Sequence, residues 1–300
     1  MQNLLSFEER AYDFRQIWDD DWFPEEDHDR IRQLAKLVPR ETRTLLDVGC
    51  GNGLFLNFLK NQHGDSFSAL VGVDRSETAL GHVQTDKRRA TVDNLPFDNS
   101  QFDTVTCMEV LEHLPVPMYA KALSEITRVA KHSIIVSVPY KQNLQESLCE
   151  CPQCQTRFNP DFHVRSYDEN ALRSLFVPHA FESIKMLYIG EQIVRYDLEY
   201  RARLWHMFDR ASPSYPSYAI CPVCGFHDEH KLDQDLAARK HARSRGTSCS
   251  VEAPKRSRVR AFIASVLPRR TDYRWIAASY LRNGSAHTSG KGLQCIEGSR

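Results

Sequence analysis

The stretch "LLDVGCGNG", Leu45 to Gly53, decides the fold. Its first half is a short apolar run of the kind found in central strands of parallel sheets, where both faces are covered. Its second half places glycine at every other position, Gly49, Gly51 and Gly53. Glycines there allow a tight strand-to-helix turn and close approach of a ligand to the backbone. The next segments read as a helix ("GLFLNFLK"), a second strand ("ALVGVD") and a second helix ("SETALGHVQ"). Asp74 closes the second strand, roughly twenty residues beyond the glycines, where a carboxylate can receive ribose hydroxyls. The spacing is G-x-G-x-G preceded by an acid, not the G-x-G-x-x-G of dinucleotide binders.

Outward from this stretch the alternation continues. "RRATV" predicts a weak third strand, "FDTVTC" a fourth, "MYAKALSEITRVA" an amphipathic helix and "SIIVSVP" a fifth strand. Such alternation predicts an α/β fold with a parallel sheet between helices. Upstream, "HDRIRQLAKLV" sets Ile31, Leu34, Ala35 and Val38 on one helical face, and Pro39 stops it. Past Pro139 the pattern predicts a helix at "YDENALRSLF", a strand at "FESIKMLYIG", a long helix at "VRYDLEYRARLWHMFDR" and a last strand at "SYAICPVCG". "RAFIASVLPRRTDYRWIAASYLR" predicts one or two short helices, and the end of the chain reads as disordered.

The chain of 300 residues has a formal net charge of zero, so as a whole it is not an obvious nucleic-acid or membrane binder. Its charge is uneven: "WDDDWFPEEDHD" is acidic, and Arg239 to Arg270 is basic. No apolar run approaches the ~20 residues a membrane helix needs, and the N-terminus does not read as a signal peptide. A cytoplasmic, reducing location is expected, where cysteine pairs are more often metal ligands than disulfides.

Taken together, "LLDVGCGNG", "VGVD" and "ATVDNLPFDNSQFDTVTCMEVLEHL" resemble the Rossmann-like (class I) S-adenosylmethionine-dependent methyltransferases. The resemblance runs from about Thr44 to Pro139. It implies a seven-stranded, mostly parallel sheet. It also implies that Asp47, Gly49 and Gly51 line the methionine end of S-adenosyl-L-methionine and that Asp74 holds the ribose. Val92 with Thr91 or Asp93 would meet the adenine, with Met108 a further cofactor contact. Many relatives carry Asp where Thr91 stands.

"MEVLEHLP", Met108 to Pro115, leaves the fourth strand at the sheet edge where ligands bind in such folds. Read as a turn of helix, it puts Glu109, Glu112 and His113 on one face. Two carboxylates and an imidazole make half of a divalent-cation site, and His163 in a later loop can complete it. The set Glu109, Glu112, His113 and His163 resembles the metal ligands of plant-type small-RNA 2′-O-methyltransferases, and ubiquinone-pathway O-methyltransferases show a similar turn. The metal-free alternative leaves His113, with Glu112 and His163, as the catalytic group; a structural role for the turn is the third reading.

Among nine cysteines, "CPQC" (Cys151, Cys154) and "CPVCG" (Cys221, Cys224) can supply four thiolates to one structural Zn2+. A redox-active pair is the rival. Cys149 is a spare ligand. The arrangement of "VPY", "CPQC", a histidine and "CPVCG" resembles a bacterial zinc-knuckle methyltransferase group linked to glycan assembly.

The expected organisation is a helical cap or lid over residues 1–43, with Trp18, Trp22 and Phe23 over the cofactor. The methyltransferase domain with a zinc-knuckle extension follows over 44–227, and a basic, partly disordered extension over 228–300. The expected activity is O-methylation of a sugar hydroxyl in a glycan precursor or similar small molecule. The alternatives are an RNA methyltransferase gripping RNA with the zinc module and basic segment, and a non-catalytic zinc-bearing scaffold.

Overall fold

The computed structural model describes residues 18, 23, 25–145, 147–194, 215–244 and 270–284. Its frame is a sheet of strands β1 (Thr44–Val48), β2 (Ala69–Asp74), β3 (Asp86–Arg89), β4 (Phe102–Met108), β5 (Ala130–Pro139), β8 (Phe181–Val194) and β9 (Arg270–Arg282). A separate hairpin pairs β6 (Cys149–Glu150) with β7 (Arg157–Phe158). The helices are α1 (Glu25–Ala35), α2 (Leu54–His63), α3 (Glu77–Leu80), α4 (Val116–Val129), α5 (Glu169–Ser174) and α6 (Glu229–Ser244).

The sheet has seven strands in the order β3-β2-β1-β4-β5-β9-β8. The first five are parallel to their neighbours. β9 runs antiparallel between β5 and β8. The expected mostly parallel seven-stranded sheet is therefore present. The chain reverses its winding between β2 and β4, on either side of β1, and that crossover opens a crevice at the carboxyl ends of β1 and β4.

Burial explains why these segments form these elements. Leu45, Leu46 and Val48 of β1 are buried on both sides of the sheet, as the continuous apolar run requires. One face packs against α4 through Ala122, Leu123, Ile126 and Val129. The other packs against α2 through Phe55, Leu56 and Leu59, and against α1 through Ile31, Leu34 and Ala35. The first turn of α1 carries Glu25, Glu26 and Asp27, which favours the positive end of the helix dipole. Helix α1 is thus part of the core as well as the base of any cap.

Three expectations need correction. The segment "TDYRWIAASYLR" is not helical: it forms β9, and Ile276, Ala277, Ala278 and Tyr280 are buried at its centre. A strand covered on both faces loses its alternation, and its Ala-Ala pair favours helix when read alone. The boundary at 228 consequently fails, because residues 270–282 complete the sheet. "SYAICPVCG" forms turns, not a strand. The expected long helix after β8 lies, apart from Val194, outside the described residues, as do Trp22 and most of the basic segment. No helix among the described residues is long and apolar enough to cross a membrane.

Candidate active site

A cavity of about 330 Å³ opens over the carboxyl ends of β1, β2 and β4. Its floor is the glycine loop. The N–H groups of Gly49 and Cys50 both reach the Val73 carbonyl, at 2.8 and 2.9 Å, which folds the loop back on β2. Gly49 has φ 72° and Gly51 φ 53°, a left-handed region costly for other residues. A Cβ on Gly49 would stand 2.3 Å from a methyl carbon of Val110, and one on Gly51 2.9 Å from the Trp18 ring. The loop surface is bare because side chains there would collide with the cavity's other walls.

Asp74 accepts N–H bonds from Gly51 at 2.9 Å and from Ser76 at 2.8 Å. Burial still pushes its carboxyl up, against the pull of these bonds. Asp47 is fully inside and accepts the Thr106 hydroxyl at 2.6 Å. Burial raises it to about 7, the Thr106 bond opposing. An ammonium group entering beside this acid would favour its ionised form and offset the cost of its burial. Asp47, Gly49, Gly51, Asp74, Thr91 and Val92 all line the cavity, together with Met108. Asp93 is not among its lining residues. Trp18 and Phe23 also line the cavity, and Trp18 is held against the glycine loop by the Asn52 amide, which donates to its carbonyl at 3.1 Å. Bare glycine backbone with one buried and one part-buried acid fits the methionine and ribose ends of S-adenosylmethionine.

The turn after β4 differs from the expected helical turn. Glu109 has φ 55°, and the chain then closes through the His113 N–H to Val110 carbonyl bond at 3.1 Å. The left-handed residue sends the two carboxylates apart. Glu109 pairs with Arg30 at 3.1 Å and accepts the Ser137 hydroxyl at 2.9 Å. Arg30 also reaches Asp27 at 3.2 Å and lies over the Trp275 ring. Burial raises the Glu109 carboxyl, and Arg30 opposes that rise.

Glu112, His113 and His163 do converge: their ligand atoms lie within 4.8 Å of one another. Glu109 is not in this group, so the expected fourth ligand is a counter-ion to Arg30 instead. Glu112 is completely buried, and neither carboxylate oxygen has a hydrogen-bond partner. Burial, then the neighbouring Glu109 charge, push its pKa well above the usual range. His113 is held well below its usual value by burial and then by His163, with the Asp161 backbone opposing. His163 is lowered by burial, with the Asp161 charge opposing. Its Nδ1 meets the Gln142 amide oxygen at 2.5 Å, and its ring stands edge-on to His113, centroids 4.6 Å apart. Two imidazoles beside a buried acid without a partner are donors that could hold a divalent cation.

The four motif cysteines also come together, all sulfurs within 4.8 Å of one another. Cys151 and Cys224 are 3.6 Å apart and Cys154 and Cys221 3.5 Å. Tetrahedral zinc at ~2.3 Å from each sulfur spaces them about 3.8 Å apart, whereas a disulfide needs ~2.05 Å. The two turns share one backbone pattern: Gln155 N–H to Cys151 carbonyl and Gly225 N–H to Cys221 carbonyl, both 2.9 Å. Cys149, the spare, is buried nearby but outside the group. Cys50 and Cys107 are buried thiols pushed up by burial.

Sequence reasoning missed Arg30, Ser137, Gln142 and Trp275. Arg30 alone carried a signal, a charge beside Ile31 on the buried stripe of α1.

Residues 46–136 match the family model described as a methyltransferase domain. The match runs from β1 into β5 and holds the glycine loop, Asp74 and the acidic turn. The chain is 36% identical over 115 residues to an uncharacterized protein of Methanocaldococcus jannaschii, covering 37% of this chain and 47% of that one. It is 35% identical over 99 residues to the ubiquinone biosynthesis O-methyltransferase of Hahella chejuensis, covering 30% of this chain and 39% of the relative. The chain thus spans less than half the length of these curated relatives. Among solved structures it is similar to an S-adenosylmethionine-dependent methyltransferase of Archaeoglobus fulgidus, with a TM-score of 0.48 at 15% identity, over 86% of this chain and 94% of that one.

Proposed function

We propose that this protein is an S-adenosylmethionine-dependent O-methyltransferase whose acceptor is a hydroxyl of a sugar-containing or similar small metabolite. The observation that carries the reading is a single cavity lined both by the glycine loop and by His113 of the acidic turn. When bound, the cofactor supplies an activated methyl group, and a divalent cation lowers the pKa of a hydroxyl.

The chain's own part is to hold, align and dry the site. Asp47 takes the cofactor's ammonium, Asp74 its ribose hydroxyls, and the wall at Thr91 and Val92 its base. Trp18 and Phe23 shield the cavity from water, which strengthens every polar contact inside. Glu112, His113 and His163 are the residues that would hold the cation. Without one, His113, the member of the cluster at the cavity wall, is the group placed to take the hydroxyl proton. The four cysteines fit a structural zinc, since four thiolates leave no open position for chemistry. The choice of a sugar acceptor rests on the resemblance of the cysteine and histidine spacing to glycan-assembly methyltransferases, and on a residue set suited to hydroxyl activation.

Calorimetry with S-adenosylhomocysteine tests the cofactor half. Binding with release of protons below pH 7 is expected, and absence of heat at millimolar ligand overturns the reading. Elemental analysis tests the metals: zinc lost in Cys151→Ser and a second divalent ion lost in His163→Ala are expected. A screen of radiolabelled methyl incorporation into sugar nucleotides, quinone precursors and RNA tests the acceptor, and labelling of RNA alone would reject the small-metabolite assignment.

A further inference from the structure

The cysteine module and the histidine cluster are joined by one short run of chain. The β6–β7 hairpin carries Cys151 and Cys154, and β7 ends at Phe158. Five residues later stands His163. Phe158 sits in a small core with Cys149, Cys151, Ala219 and Cys221, and Phe162 packs against that core. The Phe158 and Phe162 rings stack, with centroids 6.3 Å apart. Between them Asn159 accepts the Asp161 N–H at 2.9 Å. From the second cysteine turn, the Tyr218 hydroxyl donates to Asp161 Oδ1 at 2.9 Å.

The same run faces the active site with its other side. The Asp161 backbone contacts the His113 ring. The Val164 N–H donates to the Glu112 carbonyl at 2.9 Å. Arg165 lies over the Tyr119 ring at 3.7 Å and reaches the Leu114 carbonyl. Phe162 takes a left-handed conformation, φ 57°, which a free loop would relax. Every group that shapes the histidine cluster from this side is anchored, within a few residues, to the cysteine core.

We infer that the four-cysteine module is a positioning device for the active site: closing it with zinc fixes the 158–164 run and so sets His113 and His163, with Tyr218 as the side chain that transmits the hold. The inference rests on the proposed zinc and methyl-transfer readings but concerns neither the acceptor nor the second cation. A zinc that merely stabilised its own lobe would leave the β4 turn untouched. A zinc that positions the histidines makes the order of the β4 turn depend on a cluster at the other end of the loop.

Hydrogen-exchange mass spectrometry on the full chain, before and after zinc is released by a mercurial thiol reagent, tests this, with Tyr218→Phe as a second arm. Zinc release is expected to speed exchange at least tenfold in peptides covering 108–116 and 158–166. Peptides covering 44–60 should be unchanged. Tyr218→Phe should keep its zinc, bind S-adenosylhomocysteine within twofold of the parent, and shift the imidazole carbon–proton signals of His113 and His163. Exchange changes confined to 148–157 and 215–227 would overturn the inference, as would a parent protein that contains no zinc. If S-adenosylhomocysteine fails to bind the parent protein, the methyl-transfer reading falls, while the exchange result still decides the positioning role.

Discussion

The glycine-loop side of the cavity and the Glu112–His113–His163 cluster, which meet at His113, are built on different physical terms. On the cofactor side, each acid receives hydrogen bonds from the chain itself: Asp74 two backbone N–H bonds and Asp47 a threonine hydroxyl. On the acceptor side, Glu112 is buried with both oxygens unanswered, beside two imidazoles held neutral. The first half is a finished cradle that needs only a ligand of the right shape. The second is electrostatically incomplete, and a buried unpaired carboxylate costs stability until something positive or protic meets it. The difference teaches that substitutions on the first side should register mainly in cofactor affinity, and on the second mainly in stability, metal response and methyl transfer.

The largest effect is expected on the finished side. Gly49→Ala forces a left-handed alanine, costing about 1–2 kcal/mol, and sets its methyl against Val110. Relief requires the loop or the β4 turn to move. S-adenosylhomocysteine affinity should fall by about 100-fold or more in calorimetry, with zinc content unchanged. An affinity within tenfold of the parent would show that the cradle is looser than its geometry.

Glu112→Gln separates the halves most directly. In the metal-free protein it removes a costly buried acid, so the melting temperature should rise by a few degrees. Added Mn2+, which stabilises only a form that binds it, should raise the parent's melting temperature but not the variant's. Methyl transfer should fall by about 100-fold, in the range that loss of acid–base or metal assistance produces, with cofactor affinity within twofold. A variant that melts lower than the metal-free parent would mean that Glu112 is satisfied by partners in the protein, and the contrast would collapse.

Asp47 gives a smaller effect with a definite sign. Its carboxyl is raised to about 7 in the folded protein from an ordinary 3.8. Between those values the native state holds a proton that the unfolded chain has released. The free protein should therefore lose stability as pH rises from about 4 through 7, and Asp47→Asn should flatten that slope. An ammonium ligand needs the ionised acid, so cofactor affinity should weaken as pH falls below 7, by up to about tenfold per pH unit. Proton release, read from heats in buffers of different ionisation enthalpy, checks this independently.

How much of this was legible in the sequence follows the same division. Cofactor binding by backbone demands glycine at fixed intervals, so Gly49 and Gly51 betray the loop, and the apolar run before them betrays β1. On the other side the resemblance grouped Glu112, His113 and His163, which do converge, whereas Gln142, which meets the His163 ring, lies far off in the chain and carries no local pattern. The helical reading of "MEVLEHLP" failed at one residue: the left-handed Glu109 turns its carboxylate to Arg30, a partner nearly eighty positions upstream. β9 was missed because a strand with neighbours on both edges and cover on both faces carries no period of two. The meeting of the two cysteine turns was legible because C-x-x-C spacing presents two thiols from one turn, while the packing that joins them to the run before His163 depends on aromatic stacking that spacing does not encode.

The smallest expected effect sharpens the cofactor side at the adenine wall. The resemblance left Thr91 and Asp93 as equal choices there. We propose Thr91 and Val92 as the adenine wall, because they line the cavity and Asp93 does not. Asp93→Ala should then leave S-adenosylhomocysteine affinity within about twofold, as surface substitutions away from a site usually do. Thr91→Tyr, which places bulk at the cavity wall, should weaken it by about fivefold to tenfold. Were Asp93→Ala the more damaging of the two, an acid would be reaching the base after all, and the 91–94 turn would have to rearrange when the cofactor enters.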